Sequence, residues 1–166
     1  VETPVASVVD VYGIHVREDD DGLVEEFGAC RLDLVPQSPE QGNRFMDQVG
    51  EDEDIPERYR PAVNEGAREA MAHGPTAGYP VVGVNIQLRG GEYDSLQSTD
   101  DHFRIAGANA LRTALQRTGT RLLEPWCTLE VITPDEHVGD VLADISSHRG
   151  RILGVEHLET QGTRIR

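Results

Sequence analysis

The chain has 166 residues, enough for one large domain or two small ones, and it is strongly acidic, with a formal net charge of −15. All of its fifteen basic residues are arginine, and this balance opposes non-specific binding to nucleic acid, although it leaves room for a local arginine site. No apolar run approaches the roughly 20 residues of a membrane span, and the first residues lack the character of a signal peptide. These features predict a cytoplasmic protein.

The first third of the chain alternates between strand-like and acidic segments. Residues 5–12 and 28–35 are rich in β-branched and apolar residues, which predicts two strands. The acidic segment 17–26 between them is a predicted loop, and residues 43–49 form a short candidate strand. The acidic run "GEDEDIPE" that follows is predicted to be a solvated connector.

The middle of the chain predicts a helix followed by a strand. Apolar residues recur at helical spacing over residues 59–71, with Gly74 as the expected C-terminal cap. Residues 79–90 then alternate between apolar and polar side chains, as a half-buried strand does.

A polar loop and a second helix come next. Ser98 and Asp101 stand in the spacing of a capping box, before a helical stripe over residues 103–115 that Gly119 ends. The loop is therefore expected to be fixed at both ends by regular structure.

The last 45 or so residues repeat the pattern on a smaller scale. A strand over residues 127–133 leads to a helix whose start is predicted from Thr133 as N-cap, Pro134 at the first helical position and Glu136 completing a capping box. Residues 151–160 read as a strand, and the closing "TRIR" as the opening of another. This order is half of a ferredoxin-like βαββαβ unit, so we expect a longer parent protein.

The sequence contains little that predicts catalysis. Lysine is absent, so there is no phosphate-binding motif G-x-x-x-x-G-K-[ST]. Paired carboxylates such as Glu25 with Glu26, or Asp100 with Asp101, are expected in any chain this acidic. No serine stands in a G-x-S-x-G setting. We therefore predict a binding module, not an enzyme.

Metal binding and disulfide formation are not predicted either. The six histidines lack ligand spacing such as H-x-x-x-H, so no metal is assigned. Cys30 and Cys127 lie in segments of alternating apolar residues, which predicts two reduced core thiols.

Two long stretches carry an ordered set of motifs. The stretch "YRPAVNEGAREAMAHGPTAGYPVVGVNIQLRGGEYDSLQSTDDHFRIAGANAL" follows the pattern Y-x-P-A-V, G-P-x-A-G-Y-P-V-V, G-x-Y and F-x-x-A, and it resembles the fourth domain of elongation factor G and related translational GTPases. The stretch "LLEPWCTLEVITPDEHVGDVLADISSHRGRILG" is similar to the entry into the fifth domain. The match is almost free of gaps over residues 57–155 and looser over residues 1–56.

The resemblance implies an α+β protein of two domains. Residues 1–121 would form a βαβ two-layer fold of the ribosomal protein S5 domain 2-like type, with a crossover that is left-handed in this family. Residues 122–166 would form the first half of a ferredoxin-like fifth domain. The parent would be a ribosome-dependent GTPase that binds GTP and Mg²⁺ upstream, so this chain would hold no cofactor and no nucleotide site.

The resemblance also implies where the chain meets the ribosome. A tip loop would reach the decoding centre and contact the tRNA–mRNA duplex in the A site; its residues are Tyr93, Asp94, Ser95, Leu96, Gln97 and Ser98. A second tip loop would lie beside it, formed by Asp19, Asp20, Asp21 and Gly22. In the fifth domain, Arg149 and Arg151 would contact ribosomal RNA.

Two departures from the family pattern leave alternatives open. Asp94 stands where histidine is common, and the acidic segment 17–26 replaces a glycine-rich, usually basic one, so an RNA backbone would repel this tip. The segments "YDSLQSTDDHFR" and "QRTGTRLLEPW" are also similar to tetracycline-resistance ribosomal protection proteins, whereas "GPTAGYPVV" favours the elongation factors. A third hypothesis is an acidic protein-interaction module that makes no contact with RNA.

Overall fold

A computed structural model describes residues 1–50, 55–159 and 162–166. The described residues form two compact units, Val1–Glu124 and Pro125–Arg166. Residues 51–54 of the acidic run that was predicted to be a solvated connector lie outside the described residues.

The first unit is built on a four-stranded sheet in the order β2-β3-β5-β4. These strands are β2 (Val8–Glu18), β3 (Val24–Pro36), β4 (Arg44–Asp47) and β5 (Val84–Glu92). β3 runs antiparallel to both β2 and β5, whereas β4 runs parallel to β5. A separate pair joins β1 (Glu2–Pro4) to β6 (Thr120–Leu122), so the two ends of the unit meet.

Two helices, α1 (Arg60–Ala70) and α2 (Asp100–Thr118), pack against each other, and α2 also packs on β2 and β3. The alternation that predicted β5 is confirmed, since its apolar side chains are buried at every second position from Val84 to Leu88. They meet helix side chains in one core that includes Val63, Ala67, Phe103, Leu111 and Leu115. The result is the predicted βαβ two-layer α+β fold, with α1 connecting parallel strands β4 and β5.

The predicted end of α2 at Gly119 is confirmed, but the predicted end of α1 and the predicted start of α2 were wrong. α1 ends at Ala70 with Met71 as its C-cap, three residues before Gly74. The N-cap of α2 is Thr99, whose side chain accepts a hydrogen bond from the His102 N–H. Ser98 is excluded from that role because its hydroxyl group is used in the preceding loop.

The second unit contains β7 (Val131–Thr133), α3 (Val138–Ser147), β8 (Val155–Leu158) and β9 (Gly162–Ile165). Its sheet order is β7-β9-β8, with β9 antiparallel to both neighbours, which is the arrangement of the first half of a ferredoxin-like unit. The predicted fold class is therefore confirmed for both units.

The start of α3 and the state of Cys127 differ from expectation. Thr133 belongs to β7, Pro134 precedes a short 3₁₀ turn, and neither Thr133 nor Glu136 caps the helix. Instead the Thr163 hydroxyl donates to Asp135 at 2.6 Å, which joins β9 to that turn. Cys30 is buried as predicted, but Cys127 is exposed.

Candidate functional site

The loop over residues 93–98 joins β5 to α2 and is closed by its own hydrogen bonds. The Asp94 carboxylate accepts the backbone N–H of Leu96 at 2.8 Å and that of Gln97 at 3.1 Å. Asp94 in turn donates its N–H to the Ser98 hydroxyl at 2.9 Å and accepts the Ser98 N–H at 3.0 Å. A carboxylate that satisfies consecutive N–H groups in this way fixes a tight turn without help from neighbouring strands.

The end of this loop is also hydrogen-bonded to the core of the first unit. Phe27 on β3 donates its N–H to the Gln97 carbonyl at 3.2 Å and accepts the Ser98 hydroxyl at 2.8 Å. The Tyr59 hydroxyl, next to α1, donates to the Ser98 carbonyl at 2.9 Å. His102 on α2 contacts the Gln97 carbonyl at 2.8 Å through Nδ1. Three elements therefore hold the loop in place.

The apex of the loop faces solvent. The Leu96 side chain is 91% exposed and that of Tyr93 is 42% exposed, and Ser95 is exposed beside them. By contrast, Ser98 is buried, and Asp94 and Gln97 are half-buried. Among the predicted contact residues, Tyr93, Ser95 and Leu96 are therefore exposed, whereas Asp94, Gln97 and Ser98 shape the loop.

The second predicted loop is a short hairpin turn. Arg17 and Glu18 belong to β2, and β3 already begins at Val24, so the predicted loop over residues 17–26 shrinks to residues 19–23. The Asp19 carboxylate accepts the N–H of Asp21 at 3.0 Å and that of Leu23 at 2.8 Å.

The turn leaves its other acidic groups in solvent. Asp20 and Asp21 are exposed, and Gly22 has a φ of 79°, the left-handed conformation that a glycine adopts without strain. The negative charge that the sequence placed at this turn is therefore accessible to a partner.

Beneath both loops lies a group of titratable side chains that the sequence analysis did not bring together. His15 Nε2 lies 2.7 Å from the Glu26 carboxylate, and His102 Nε2 lies 3.6 Å from the same oxygen. The Arg17 guanidinium contacts the other Glu26 oxygen at 2.7 Å. The hydrogen bond from His15, helped by Arg17 and His102 and opposed by desolvation, keeps the pKa of the Glu26 carboxyl below its ordinary value.

The sequence offered no signal for this group. Its members come from β2, β3 and α2, so their separations along the chain match no short ligand motif. The approach of α2 to β3 depends on Gly28, because a Cβ atom there would lie 3.0 to 3.1 Å from main-chain and Cβ atoms of His102.

The segment that joins α1 to β5 holds a carboxylate in a ring of backbone N–H groups. The Glu2 carboxylate accepts N–H groups of the segment at 2.8 to 3.2 Å, together with the Thr120 hydroxyl; the N–H donors are Thr76, Ala77 and Tyr79. The glycine-containing segment 73–78 therefore binds an anion, but the anion is a side chain of this protein. Its donors are not available to a phosphate group.

The two predicted RNA-contact arginines lie in the second unit. Arg149 and Arg151 are exposed and flank the turn after α3, where Arg149 has a φ of 62°. The Gly150 N–H donates to the Ile145 carbonyl at 2.8 Å and closes that turn. The turn presents both arginines next to each other on the surface of that unit.

The carboxylate pairs occupy ordinary structural positions. Glu25 pairs with Arg17 at 2.9 Å, and Asp101 pairs with Arg104 at 3.2 Å on the surface of α2. Asp100 lies in the first turn of α2, where a negative charge is favoured by the helix dipole. Glu26, the partner of Glu25 in the sequence, belongs instead to the group around His15 and His102.

Comparison with known proteins places both units in one family. The family model described as "Elongation factor G, domain IV" matches residues 8–119, and the one described as "Elongation factor G C-terminus" matches residues 121–166. The protein named Elongation factor G 2 from Syntrophomonas wolfei subsp. wolfei (strain DSM 2245B / Goettingen) is 42% identical over 125 residues, which is 75% of this chain. A crystal structure of a protein from Thermus thermophilus matches 99% of this chain with a TM-score of 0.80 and 31% identity.

These relatives are much longer than the present chain. The chain spans 18% of the length of the Syntrophomonas wolfei protein and 24% of the Thermus thermophilus chain. In the part of the chain that the structure describes, no helix is long and apolar enough to cross a membrane.

Proposed function

Because the chain belongs to the elongation factor G family, we propose that it is the ribosome-binding region of a translation factor, whose tip loop reaches the decoding centre during translocation. One observation carries this proposal: the loop over residues 93–98 is exposed at its apex and hydrogen-bonded at its base to three elements of the core. A loop fixed in this way can hold a displaced tRNA–mRNA duplex, because its shape does not have to be ordered on contact.

The charges of the tip suggest how it would meet RNA. The carboxylates of Asp94 and Asp19 point at backbone N–H groups, and Asp20 and Asp21 face solvent. An attractive contact must therefore come from uncharged groups at the apex, with the half-exposed Tyr93 ring available to stack on a base. Phosphate contacts fall to Arg149 and Arg151 in the second unit.

The apex is tested by co-sedimentation of the chain with ribosomes. We expect the double substitution Ser95→Ala and Leu96→Ala to weaken binding several-fold, because it removes exposed side chains and leaves Asp94 and its hydrogen bonds in place. Leu122→Ala is the matched control, since Leu122 is also an exposed leucine but lies on β6. Equal binding by both variants would contradict the assignment of the tip.

The arginines are tested by the salt dependence of the same binding. Each phosphate contact that is lost should lower the slope of log affinity against log salt concentration by about one. We expect Arg149→Ala with Arg151→Ala to lower the slope, and the tip variant to leave it unchanged. Arg121→Ala, at an exposed position of β6, is the control.

The longer protein that carries this region is proposed to be a cytoplasmic, ribosome-dependent GTPase, with GTP and Mg²⁺ bound outside residues 1–166. Hydrolysis of GTP by that protein should increase when ribosomes are added. Rescue of translation from tetracycline in parallel reactions would assign ribosomal protection, and stimulation of hydrolysis without rescue would support translocation or recycling.

The acidic surface favours a second candidate, a module that binds a basic protein instead of RNA. Its supporting observation is the exposure of Asp20 and Asp21 in a chain with a net charge of −15. This candidate predicts that the chain stays in the supernatant when ribosomes are pelleted at low salt, whereas the ribosome-binding proposal predicts that it sediments.

A further inference from the structure

Three potential metal ligands converge where β2, β3 and the first turn of α2 meet. The ligand atoms of His15, Glu26 and His102 all lie within 4.8 Å of one another. Their side chains are only 19%, 23% and 13% exposed, respectively. Such a group is sheltered from bulk water but keeps an opening to it.

Both imidazole rings approach one carboxylate oxygen of Glu26, and a hydrogen bond to the backbone orients the ring of His102. A backbone carbonyl can only accept, so the contact between His102 Nδ1 and the Gln97 carbonyl places the hydrogen on Nδ1. In the neutral ring the lone pair of His102 Nε2 then faces the Glu26 oxygen at 3.6 Å, and His15 Nε2 approaches the same oxygen at 2.7 Å. The lone pair of His102 Nε2, directed at the carboxylate oxygen, is repelled by it unless a positive species lies between them.

We propose that His15, Glu26 and His102 bind a divalent transition-metal ion, for which Zn²⁺ fits best. Zn²⁺ binds two histidines and one carboxylate with a water as fourth ligand, and ligand atoms about 2.0 to 2.2 Å from the ion lie roughly 3.3 Å apart in a tetrahedron. The two separations from the Glu26 oxygen, 2.7 and 3.6 Å, lie on either side of that value, and all three ligand atoms lie within 4.8 Å of one another. Mg²⁺ and Ca²⁺ prefer oxygen ligands and fit the two imidazoles poorly.

The surroundings supply the outer contacts that a bound ion needs. The Gln97 carbonyl orients His102, and the Arg17 guanidinium holds the Glu26 oxygen that faces away from His102. An ion here would connect the β2–β3 hairpin to the start of α2 and, through Gln97, to the loop over residues 93–98. Metal binding would therefore stiffen the loop, and it stands independently of what that loop contacts.

The proposal is tested by titrating Zn²⁺ alone into the full chain carrying Cys127→Ser, because the exposed thiol of Cys127 could bind the metal itself. We expect one ion per chain, a higher melting temperature with Zn²⁺, and a tetrahedral visible spectrum when Co²⁺ replaces it. His15→Ala and His102→Ala should each weaken binding by about tenfold or more, and Glu26→Gln should weaken it too. His137→Ala, at an exposed histidine in the other unit, should bind as the parent chain does.

A second measurement keeps all three proposed ligands in place, so it does not depend on the folding of a ligand variant. In NMR spectra of the Cys127→Ser chain, adding Zn²⁺ should shift the imidazole nitrogen signals of His15 and His102 and leave those of His137 unchanged. The absence of stoichiometric binding would overturn the proposal, with a proton then filling the space between the rings. Binding that His15→Ala and His102→Ala leave unaltered would overturn it as well.

Discussion

The loops before and after β5 are both organised around a carboxylate, but the carboxylates come from different places. In the loop after β5, Asp94 is a residue of the loop itself and is half-buried. In the segment before β5, the carboxylate belongs to Glu2, which lies 74 to 77 residues away from its backbone donors and is fully buried. One loop is closed locally, whereas the other is closed by a distant strand.

Because of this difference, we expect one carboxylate to set the conformation of a loop and the other to stabilise the first unit. Removal of a local acceptor loosens one loop, because the elements on either side keep their own contacts. Removal of the Glu2 side chain would leave the N–H groups of Thr76, Ala77 and Tyr79 without their acceptor, so that only backbone hydrogen bonds would join β1 to this segment. We therefore expect the Glu2 site to stabilise the whole first unit and the Asp94 site to set the conformation of the tip.

The largest effect is expected for Glu2→Ala. It should lower the free energy of unfolding by about 3 kcal/mol, because the substitution removes a buried carboxylate that accepts four hydrogen bonds. Urea denaturation of the full chain measures the loss, and Glu40→Ala, at an exposed glutamate, is the control. A loss as small as that of the control would show that water replaces the carboxylate.

Gly74→Ala tests the same site by changing a residue that contacts the Glu2 carboxylate. A Cβ at position 74 would overlap the Glu2 carboxylate, so the chain must shift or the hydrogen bonds must break. We expect a loss of about 2 kcal/mol in the free energy of unfolding. Gly139→Ala is the matched control, since a Cβ there meets open space.

A smaller effect is expected for Asp94→Ala, with a loss of about 1 kcal/mol or less. Hydrogen exchange at the amides of Leu96 and Gln97 should quicken, because both lose their acceptor. Asp94→Asn keeps an acceptor oxygen and should protect both amides nearly as well. Slow exchange in Asp94→Ala would mean that the contacts of Ser98 and Phe27 hold the loop by themselves.

The smallest effect is expected in the pH dependence of the free energy of unfolding. Burial would raise the pKa of the Glu2 carboxyl, but the hydrogen bonds from Thr120 and from the backbone outweigh it, so the pKa lies below its ordinary value of 4.5. The stabilisation from the ionised group is therefore complete above pH 4.5 and is lost as the pH falls through the lower, folded-state pKa. The difference in unfolding free energy between the parent chain and Glu2→Gln should shrink over that acidic range and stay constant above it.

The sequence predicted best what depends on neighbouring residues. The alternation around Ile86 and the helical spacing of Phe103, Ala106 and Leu111 gave the strand and the helix, because one buried face repeats along each element. The motifs around Tyr93 gave the family and the two-domain fold. Local patterns failed at Thr133 and Gly74, where a cap was expected but contacts with distant strands decide the backbone.

What the sequence could not show are contacts between residues far apart in the chain. Glu2 reads as an ordinary acidic residue near the N-terminus, and nothing near it indicates that it is buried by residues 76–79. His15, Glu26 and His102 likewise lie far apart in the chain and meet where α2 packs closely on β3 beside Gly28. Whether the tip loop contacts RNA stays a prediction that the binding experiments must test.

The two cysteines differ in accessibility, so one of them can be labelled selectively. Burial raises the pKa of the Cys30 thiol to about 12, so it is neither accessible nor ionised at neutral pH, whereas Cys127 is exposed in the second unit. A maleimide dye should therefore attach at Cys127 alone in the unmodified protein. Fluorescence from that dye could report the arrival of the second unit at a partner while every residue of the tip keeps its native identity.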